Sequence, residues 1–189
     1  SIDASGSMGG ERFQNAMRTA IAIAKAASMV NNIHCCIDLR GDATISGPNR
    51  AMVWIVYDSK VDKINGMVNK FKGLYPGGST PEGLCYDALS KVILKNAAGK
   101  ESYFINVSDG EPAFSGYHGK SAYDHTRKCV RKFRKAGMTV LSYFVGDGNH
   151  SINNFRHMYE QSAAVINTES LSELSKSLNK MFEVNVTEI

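Results

Sequence analysis

Short apolar runs of strand length alternate along this chain with segments that repeat apolar residues at helical spacing. Strands are predicted at 33–39, 51–57, 103–107, 138–145 and 164–166. Helices are predicted at 11–30, 61–71, around 85–92, at 121–135, at 152–159 and around 171–181. This alternation is typical of an α/β domain, in which a doubly wound, Rossmann-like and mostly parallel sheet carries helices on both faces.

Several of these elements carry more detailed expectations. The turn-rich stretch 46–49 joins two strands, which predicts a hairpin and therefore an antiparallel strand at the sheet edge. One face of the helix near residue 85 is expected to be buried through Cys85, Ala88, Leu89 and Val92. The last helix is expected to bury an apolar stripe of Leu171, Leu174, Leu178 and Met181.

Oxygen-bearing side chains stand in three separated segments, each at or near the start of a loop. The segments are Asp-Ala-Ser-Gly-Ser, Gly-Gly-Ser-Thr-Pro and Ser-Asp-Gly-Glu-Pro, and the side chains concerned are Asp3, Ser5, Ser7, Thr80 and Asp109. Hydroxyls and carboxylates without a Cys or His cluster favour magnesium, manganese or calcium over zinc or copper. A plainer interpretation is that Asp3 and Ser5 cap the following helix and that Asp109 is a turn residue.

The pattern D-x-S-x-S, then a distant Thr and a distant Asp at a strand end, resembles the metal-ion-dependent adhesion site (MIDAS) of von Willebrand factor A-like domains. The resemblance implies a six-stranded sheet of order 3-2-1-4-5-6 with an antiparallel edge strand. It also implies that Ser5 and Ser7 bind Mg²⁺ directly, with Mn²⁺ or Ca²⁺ possible. Thr80 would bind in the ligand-engaged state, and Asp3 and Asp109 would orient waters and neutralise charge. One position would stay open for an acidic side chain of a partner.

Thr80 is expected to act as a switch in such a site. Its loop can approach the ion only if the backbone shifts, and Gly77 and Gly78 permit such a shift. Partner binding and the loop shift would then favour each other.

The phrase Ser-Asp-Gly-Glu-Pro, followed by a long loop, a helix and Ser-Tyr-Phe-Val-Gly at 142–146, is most similar to the C-terminal domain of CobT-type cobaltochelatase subunits. That resemblance implies a non-catalytic subunit that partners a CobS-type AAA+ ATPase and a large chelatase subunit in cobalamin biosynthesis. Two alternatives stay open. One is an adaptor of a MoxR-like AAA+ ATPase, and the other is an extracellular adhesion domain.

Two segments are candidates for contacting a partner. The helix at 121–135 carries a basic face, with Arg127, Arg131 and Arg134 among its residues, which suits an acidic partner or simply solvent. The loop at 111–119 displays Glu111, Phe114 and Tyr117 beside the metal-site edge. Its aromatic residues can equally pack against the domain, and Glu111 can alternatively close the site as an internal ligand.

Other classes of function lack their motifs in this sequence. No G-x-x-x-x-G-K-[ST] phosphate loop and no H-E-x-x-H zinc motif is present, and the five histidines are scattered. No general base is evident for Ser5 or Ser7 as a nucleophile. The net charge of +4 comes without an aromatic-basic nucleic-acid motif, so no nucleic acid is expected. Arg40-Gly41-Asp42 spells an integrin-recognised tripeptide where strand 33–39 is predicted to give way to a loop, and we interpret it as chance.

The size and the cysteines predict one domain in a reducing compartment. The 189 residues suit a single domain at 1–189, and no apolar run approaches the roughly 20 residues that cross a bilayer. The four cysteines form no C-x-x-C pair, which favours structural thiols and a cytoplasmic location over disulfides. Only Ser1 and Ile2 precede Asp3, whereas about five strand residues are usual. We therefore expect the natural N-terminus and most of the first strand to be missing.

Overall fold

A computed structural model describes residues 1–43 and 50–166, without the side chain of Ala43. Its strands are β1 Ile2–Asp3, β2 Cys36–Ala43, β3 Arg50–Asp58, β4 Tyr103–Ser108, β5 Ala113–Phe114, β6 Tyr117–His118, β7 Thr139–Phe144 and β8 Ala163–Val165. Its α-helices are α1 Glu11–Ser28, α2 Ile64–Phe71, α3 Glu82–Ala97, α4 Gly119–Lys135 and α5 Asn149–Tyr159. The predicted turn at 46–49 and the predicted last helix lie outside the described residues.

Six strands form one mixed sheet of order β3-β2-β1-β4-β7-β8. Every neighbouring pair is parallel except β2 and β3, so the antiparallel strand lies at one edge. Numbered among themselves, these six strands have the predicted order 3-2-1-4-5-6. The fold class is therefore confirmed. The pair β5 and β6 forms a separate small hairpin within the predicted loop at 111–119.

The sheet separates two hydrophobic cores. One is built on α1 and α2 and includes Met17 and Met67, with Leu39 and Val107 from the sheet. The other is built on α3, α4 and α5 and includes the buried side chains Tyr86, Phe104, Phe133, Phe144 and Phe155. Successive strand residues point to opposite faces, which is why β4 contributes Phe104 to one core and Ile105 to the other.

The tripeptide Arg40-Gly41-Asp42 lies within β2 and does not begin a loop as the sequence analysis expected. Asp3 of β1 pairs with Arg40, and β3 pairs along the other side of β2 through Gly41 and Asp42. The strand continues beyond the apolar run because β1 pairs with it as far as Arg40 and β3 pairs with it through Gly41 and Asp42. Arg40 is fully buried, so the tripeptide is not a surface motif.

The buried face of α3 differs from the predicted one. Cys85 and Leu89 are buried as expected, but Ala88 is exposed and the residue Val92 is 52% exposed. The buried positions instead include the polar residues Glu82 and Ser90. Apolar periodicity missed this face because each of these polar side chains has a tertiary partner, since Arg40 donates to Glu82 Oε1 and Lys132 donates to Ser90 Oγ.

No helix among the described residues is both long enough and apolar enough to cross a membrane.

Candidate metal centre

The central parallel strands β1 and β4 bring two carboxylates to one edge of the sheet. Ile2 pairs with Val107, so that Asp3 at the end of β1 and Asp109 just after β4 lie at neighbouring strand ends. The sheet strand that follows β1 in the chain, β2, lies beside β1 on the side away from β4. The sheet strand that follows β4, β7, lies beside β4 on the side away from β1. This is the position at which open α/β sheets bind ligands.

Hydrogen bonds join the serines that follow β1 to both carboxylates. The hydroxyls of Ser5 and Ser7 are 3.1 Å apart, and Ser7 Oγ donates to Asp109 Oδ1 at 2.9 Å. The backbone N–H of Ser5 donates to Asp3 Oδ1 at 2.9 Å. Four of the five predicted ligands therefore belong to one connected network at the sheet edge.

Ser108 is a member of this network that the sequence analysis did not select. Its hydroxyl donates to Asp3 Oδ2 at 2.8 Å within the buried interior. With Ser5 N–H on the other oxygen, both oxygens of the Asp3 carboxylate are held in place. The signal that could have selected Ser108 was its position as the last residue of β4, directly before Asp109.

The site carries more negative than positive charge in its buried part. Asp3 and Ser5 are buried, and Asp109 is 7% exposed. Burial raises the pKa of Asp109, the Ser7 hydrogen bond lowers it and the neighbouring Asp3 raises it further; the net pKa lies above the ordinary value. Such an environment favours a cation beside Asp109.

Arg12 supplies a positive charge from the first turns of α1, and the sequence analysis did not select it. Its Nη1 lies 3.1 Å from Asp109 Oδ2, and its Nη2 contacts the exposed carboxylate of Asp147. The side chain of Arg12 is 31% exposed, whereas that of Asp109 is 1% exposed. Arg12 thus lies at the solvent side of the buried carboxylate.

Thr80 lies in the loop beside this network and is buried. Its N–H and C=O pair with the C=O and N–H of Ala113, both at 3.0 Å. The same loop is held to the β1 loop, because Gly77 N–H donates to Ala4 O at 2.8 Å and Gly6 N–H donates to Gly78 O at 3.1 Å. A shift of Thr80 toward the other four residues would have to rearrange these backbone bonds.

The oxygen spacing in the network suits a hard cation. In an octahedral Mg²⁺ site with bonds of about 2.0 to 2.1 Å, adjacent ligand oxygens are about 2.9 Å apart. The Ser5–Ser7 and Ser7–Asp109 oxygen pairs are separated by 3.1 Å and 2.9 Å. The hydroxyls of Ser5 and Ser7 and the carboxylate of Asp109 therefore fit a small divalent ion in both chemistry and spacing.

The residues proposed for partner contact make contacts within the domain. Glu111 accepts a hydrogen bond from Tyr123, and Tyr117 Oη lies 2.8 Å from His125 Nδ1. Arg127 pairs with Asp124, while Arg131 and Arg134 both pair with Glu160. Phe114 lies in β5 and is partly buried. These contacts use much of the charge that the basic helix was expected to offer, and partner binding by these residues stays a prediction.

A second group of potential ligands lies between α3 and α4, away from the sheet edge. Ligand atoms of Asp87, His125 and Cys129 all lie within 4.8 Å of one another. The absence of a zinc motif in the sequence did not exclude this group, because Asp87 is on a different helix from His125 and Cys129.

The strand order defines a doubly wound α/β domain. Its candidate metal ligands lie in loops at the sheet edge where β1 and β4 end, which is where the strand order reverses direction. More specifically, the chain has the von Willebrand factor A (vWA) fold. It is similar to the vWF domain of the type V pili tip protein Mfa5 from Porphyromonas gingivalis, with 9% identity, a TM-score of 0.73, and 97% of this chain and 93% of that chain covered. No protein-family model and no curated protein sequence matches the chain.

Two further structures have the same fold. The von Willebrand factor type A structure from Catenulispora acidiphila matches at 14% identity and a TM-score of 0.60, over 94% of this chain and 40% of that chain. Manganese-loaded TRAP protein from Plasmodium vivax matches at 15% identity and a TM-score of 0.58, over 90% of this chain and 68% of that chain. The chain spans only 44% and 29% of two other matched structures. At these identities the likeness shows the fold alone.

Proposed function

We propose that this domain binds a partner protein through a divalent cation held by Asp3, Ser5, Ser7, Thr80 and Asp109. The observation that carries the proposal is the connected network of hydroxyls and carboxylates at the edge where β1 and β4 end. The TRAP protein structure, which has the same fold, is manganese-loaded, and this is consistent with metal binding in this fold. Mg²⁺ is the proposed ion, because it prefers oxygen ligands in octahedral geometry.

The residues of the chain have separate tasks in this proposal. Ser5 and Ser7 offer hydroxyl ligands, and Asp109 supplies negative charge from across the sheet edge. Ser108 and the N–H of Ser5 hold Asp3 in one orientation. The bound ion would supply a Lewis acid with one position for a carboxylate of the partner. Arg12, at the solvent side of Asp109, adds a positive charge that favours an acidic partner surface.

The narrower proposal is a CobT-type subunit of a cytoplasmic, ATP-dependent cobaltochelatase that partners a CobS-type AAA+ ATPase. It rests on the phrase at 108–112 and on the helix and strand that follow it. All four cysteines are free thiols, in agreement with a reducing compartment. An adaptor of a MoxR-like ATPase would use the same site, and so would an adhesion domain, so the identity of the partner separates the three.

A pull-down from native lysate with this domain as bait, in Mg²⁺ and in EDTA, tests the proposal. Wild type is expected to retain an AAA+ ATPase in Mg²⁺ alone, and Asp109→Ala is expected to lose it. Asp147→Ala is the matched control, because it removes an exposed carboxylate that contacts the same Arg12 without touching the network. Retention of the same partners in EDTA would refute a metal-bridged contact.

Thr80→Ala adds a test of the switch within the same experiment. If Thr80 engages the ion when the partner binds, the variant loses affinity for the partner even at saturating Mg²⁺. Equal affinities of wild type and Thr80→Ala would remove Thr80 from the site. Co-eluting chelatase subunits would support the narrower proposal, whereas an ATPase without them would favour the MoxR-type adaptor.

A further inference from the structure

We propose that Asp87, His125 and Cys129 form a second metal site, which takes Zn²⁺ between α3 and α4. His125 and Cys129 are four residues apart on α4, so their side chains lie on one face of the helix. Asp87 approaches that face from α3. A ligand set of one nitrogen, one sulfur and one oxygen suits zinc and is unlike the all-oxygen set at the sheet edge.

Two of the distances among the candidate ligand atoms are close to those of a zinc tetrahedron, and the third, which involves the other oxygen of Asp87, is shorter. With bonds of about 2.3 Å to sulfur and about 2.0 to 2.1 Å to nitrogen and oxygen, tetrahedral ligands are separated by about 3.4 to 3.6 Å. Cys129 Sγ lies 3.8 Å from His125 Nε2 and 3.6 Å from Asp87 Oδ1. His125 Nε2 and Asp87 Oδ2 are 2.9 Å apart. The ion would replace the proton shared by this last pair, and only small side-chain shifts are needed.

The other nitrogen of His125 is held in the way that zinc-binding histidines require. Its Nδ1 lies 2.8 Å from Tyr117 Oη, and the Tyr117 hydroxyl donates to Ala122 O at 3.2 Å. With the tyrosine proton used in that bond, Nδ1 carries a hydrogen and donates it to Tyr117. Once the ion has replaced the proton shared with Asp87, Nε2 is the nitrogen with a lone pair for the ion, and it faces Asp87 and Cys129. Such outer partners orient the ligands of many metal sites.

Gly83 allows these side chains to approach α3 so closely. A Cβ at this position would lie 2.3 Å from Tyr117 Oη and 3.0 Å from His125 Nδ1. Any side chain at residue 83 would therefore push the Tyr117–His125 pair away from Asp87, which lies one helical turn further along α3. The close contact of α3 with α4 at Gly83 is what brings the three ligands together.

The site is reachable from solvent through Asp87 and His125. The side chains of Asp87 and His125 are 54% and 27% exposed, whereas Cys129 is buried. Asp87 and a Cys129 thiolate offset the charge of the ion, while Lys128 and Lys132 lie near enough to weaken that balance. Three protein ligands with an open position give a zinc that binds water or a group from outside the domain.

Metal titration of the whole chain, in saturating Mg²⁺, tests this site with Zn²⁺ and with Co²⁺ as a spectroscopic substitute. Wild type is expected to bind one equivalent of Co²⁺ with a thiolate charge-transfer band and strong tetrahedral d–d bands, and Zn²⁺ displaces it. Cys129→Ser is expected to abolish the charge-transfer band. Asp87→Asn, an exposed change that leaves the cores intact, lowers the affinity for Zn²⁺ at least about tenfold, and Tyr117→Phe lowers it about 10- to 100-fold.

Two variants serve as matched controls. Cys36→Ser removes an exposed thiol, and His157→Gln removes a histidine that pairs with Asp124 in a group without a thiol. Both are expected to bind Co²⁺ and Zn²⁺ as wild type does. A wild-type Co²⁺ complex without the charge-transfer band would overturn the proposal. So would a Zn²⁺ affinity that Asp87→Asn leaves unchanged.

Discussion

Asp3 and Asp109 differ in how the protein holds their carboxylates. Asp3 is fully buried, and Ser5 and Ser108 hold its two oxygens. Asp109 is held by Ser7 on one oxygen and faces Arg12 with the other. Asp3 therefore organises the loop after β1, while Asp109 directs its charge toward the solvent side of the site. Residue type led to the prediction of five ligands, but it gave no indication of these different surroundings.

Gly78 fixes the shape of the loop that carries Thr80. Its φ of +72° is in the left-handed region, and a Cβ there would lie 1.6 Å from Asp42 Oδ1. That same oxygen accepts the N–H of Ser79 at 3.0 Å. A side chain at residue 78 would therefore break the contact between the loop and β2.

We expect Gly78→Ala to lower the free energy of unfolding by about 1 to 3 kcal/mol, because it adds backbone strain and displaces Asp42. Urea denaturation measures the change. Gly77→Ala is the matched control in the same loop, since its Cβ meets no atom within 4 Å and its φ is not positive. Equal stabilities of the two variants would contradict this account of the loop.

At the scale of elements, α4 shows why a basic face is not necessarily a docking surface. Its buried positions are Ala122, Thr126, Cys129, Val130 and Phe133, as the helical period predicts. On the outer side, Arg131 and Arg134 both contact Glu160 at the end of α5. The helix uses these arginines to hold its neighbour in the α-helical layer.

Glu160 should make stability depend on pH. Arg131 and Arg134 lower its pKa below the ordinary value, so the ionised form is favoured in the folded protein. A lowered carboxyl pKa stabilises the fold fully above the unfolded-state pKa, and that contribution is lost as the pH falls through the folded-state value.

Glu160→Gln should therefore lower the free energy of unfolding by about 1 kcal/mol near neutral pH. The effect is small because the ion pairs are partly exposed. The difference from wild type should shrink toward zero as the solution is acidified below the folded-state pKa. Chemical denaturation across a pH series follows both proteins. A difference that stays constant at every pH would show that the two arginines act through packing alone.

At the scale of the whole molecule, an ion pair joins the sheet to the helical layer of α3. Arg40 of β2 and Glu82 of α3 are both fully buried and lie 2.7 Å apart. Arg40 lies over the ring of Tyr86, whose hydroxyl donates to Glu82 and lies 2.6 Å from that of Tyr159. Burial opposes the charge of Arg40, but Tyr86 and Glu82 keep the pKa of its guanidinium well above its ordinary value. This polar group lies among the apolar side chains of the α3 side of the sheet.

Removing one partner of this ion pair should lower the free energy of unfolding more than replacing both partners with apolar residues. Glu82→Leu alone leaves the Arg40 charge buried without its partner, and we expect a loss of about 3 to 5 kcal/mol. The double variant Arg40→Met, Glu82→Leu removes both charges and should recover most of that loss. Denaturation of the single and double variants gives the coupling energy. If the destabilisation of the double variant equalled the sum for the two single variants, the two charges would not depend on each other.

Local pattern in the sequence determined the types of most elements and the residue types of the candidate metal site. Helical and strand periodicities depend on neighbours a few residues away, so α1, β4 and β7 could be predicted from short segments. Tertiary structure alone decided the burial of Arg40, the rotated face of α3, and the approach of Arg12 to Asp109. It also brought Asp87 to His125 and Cys129. These contacts join residues far apart in the chain, and their energies come from pairing buried charges and polar groups, which apolar periodicity does not encode.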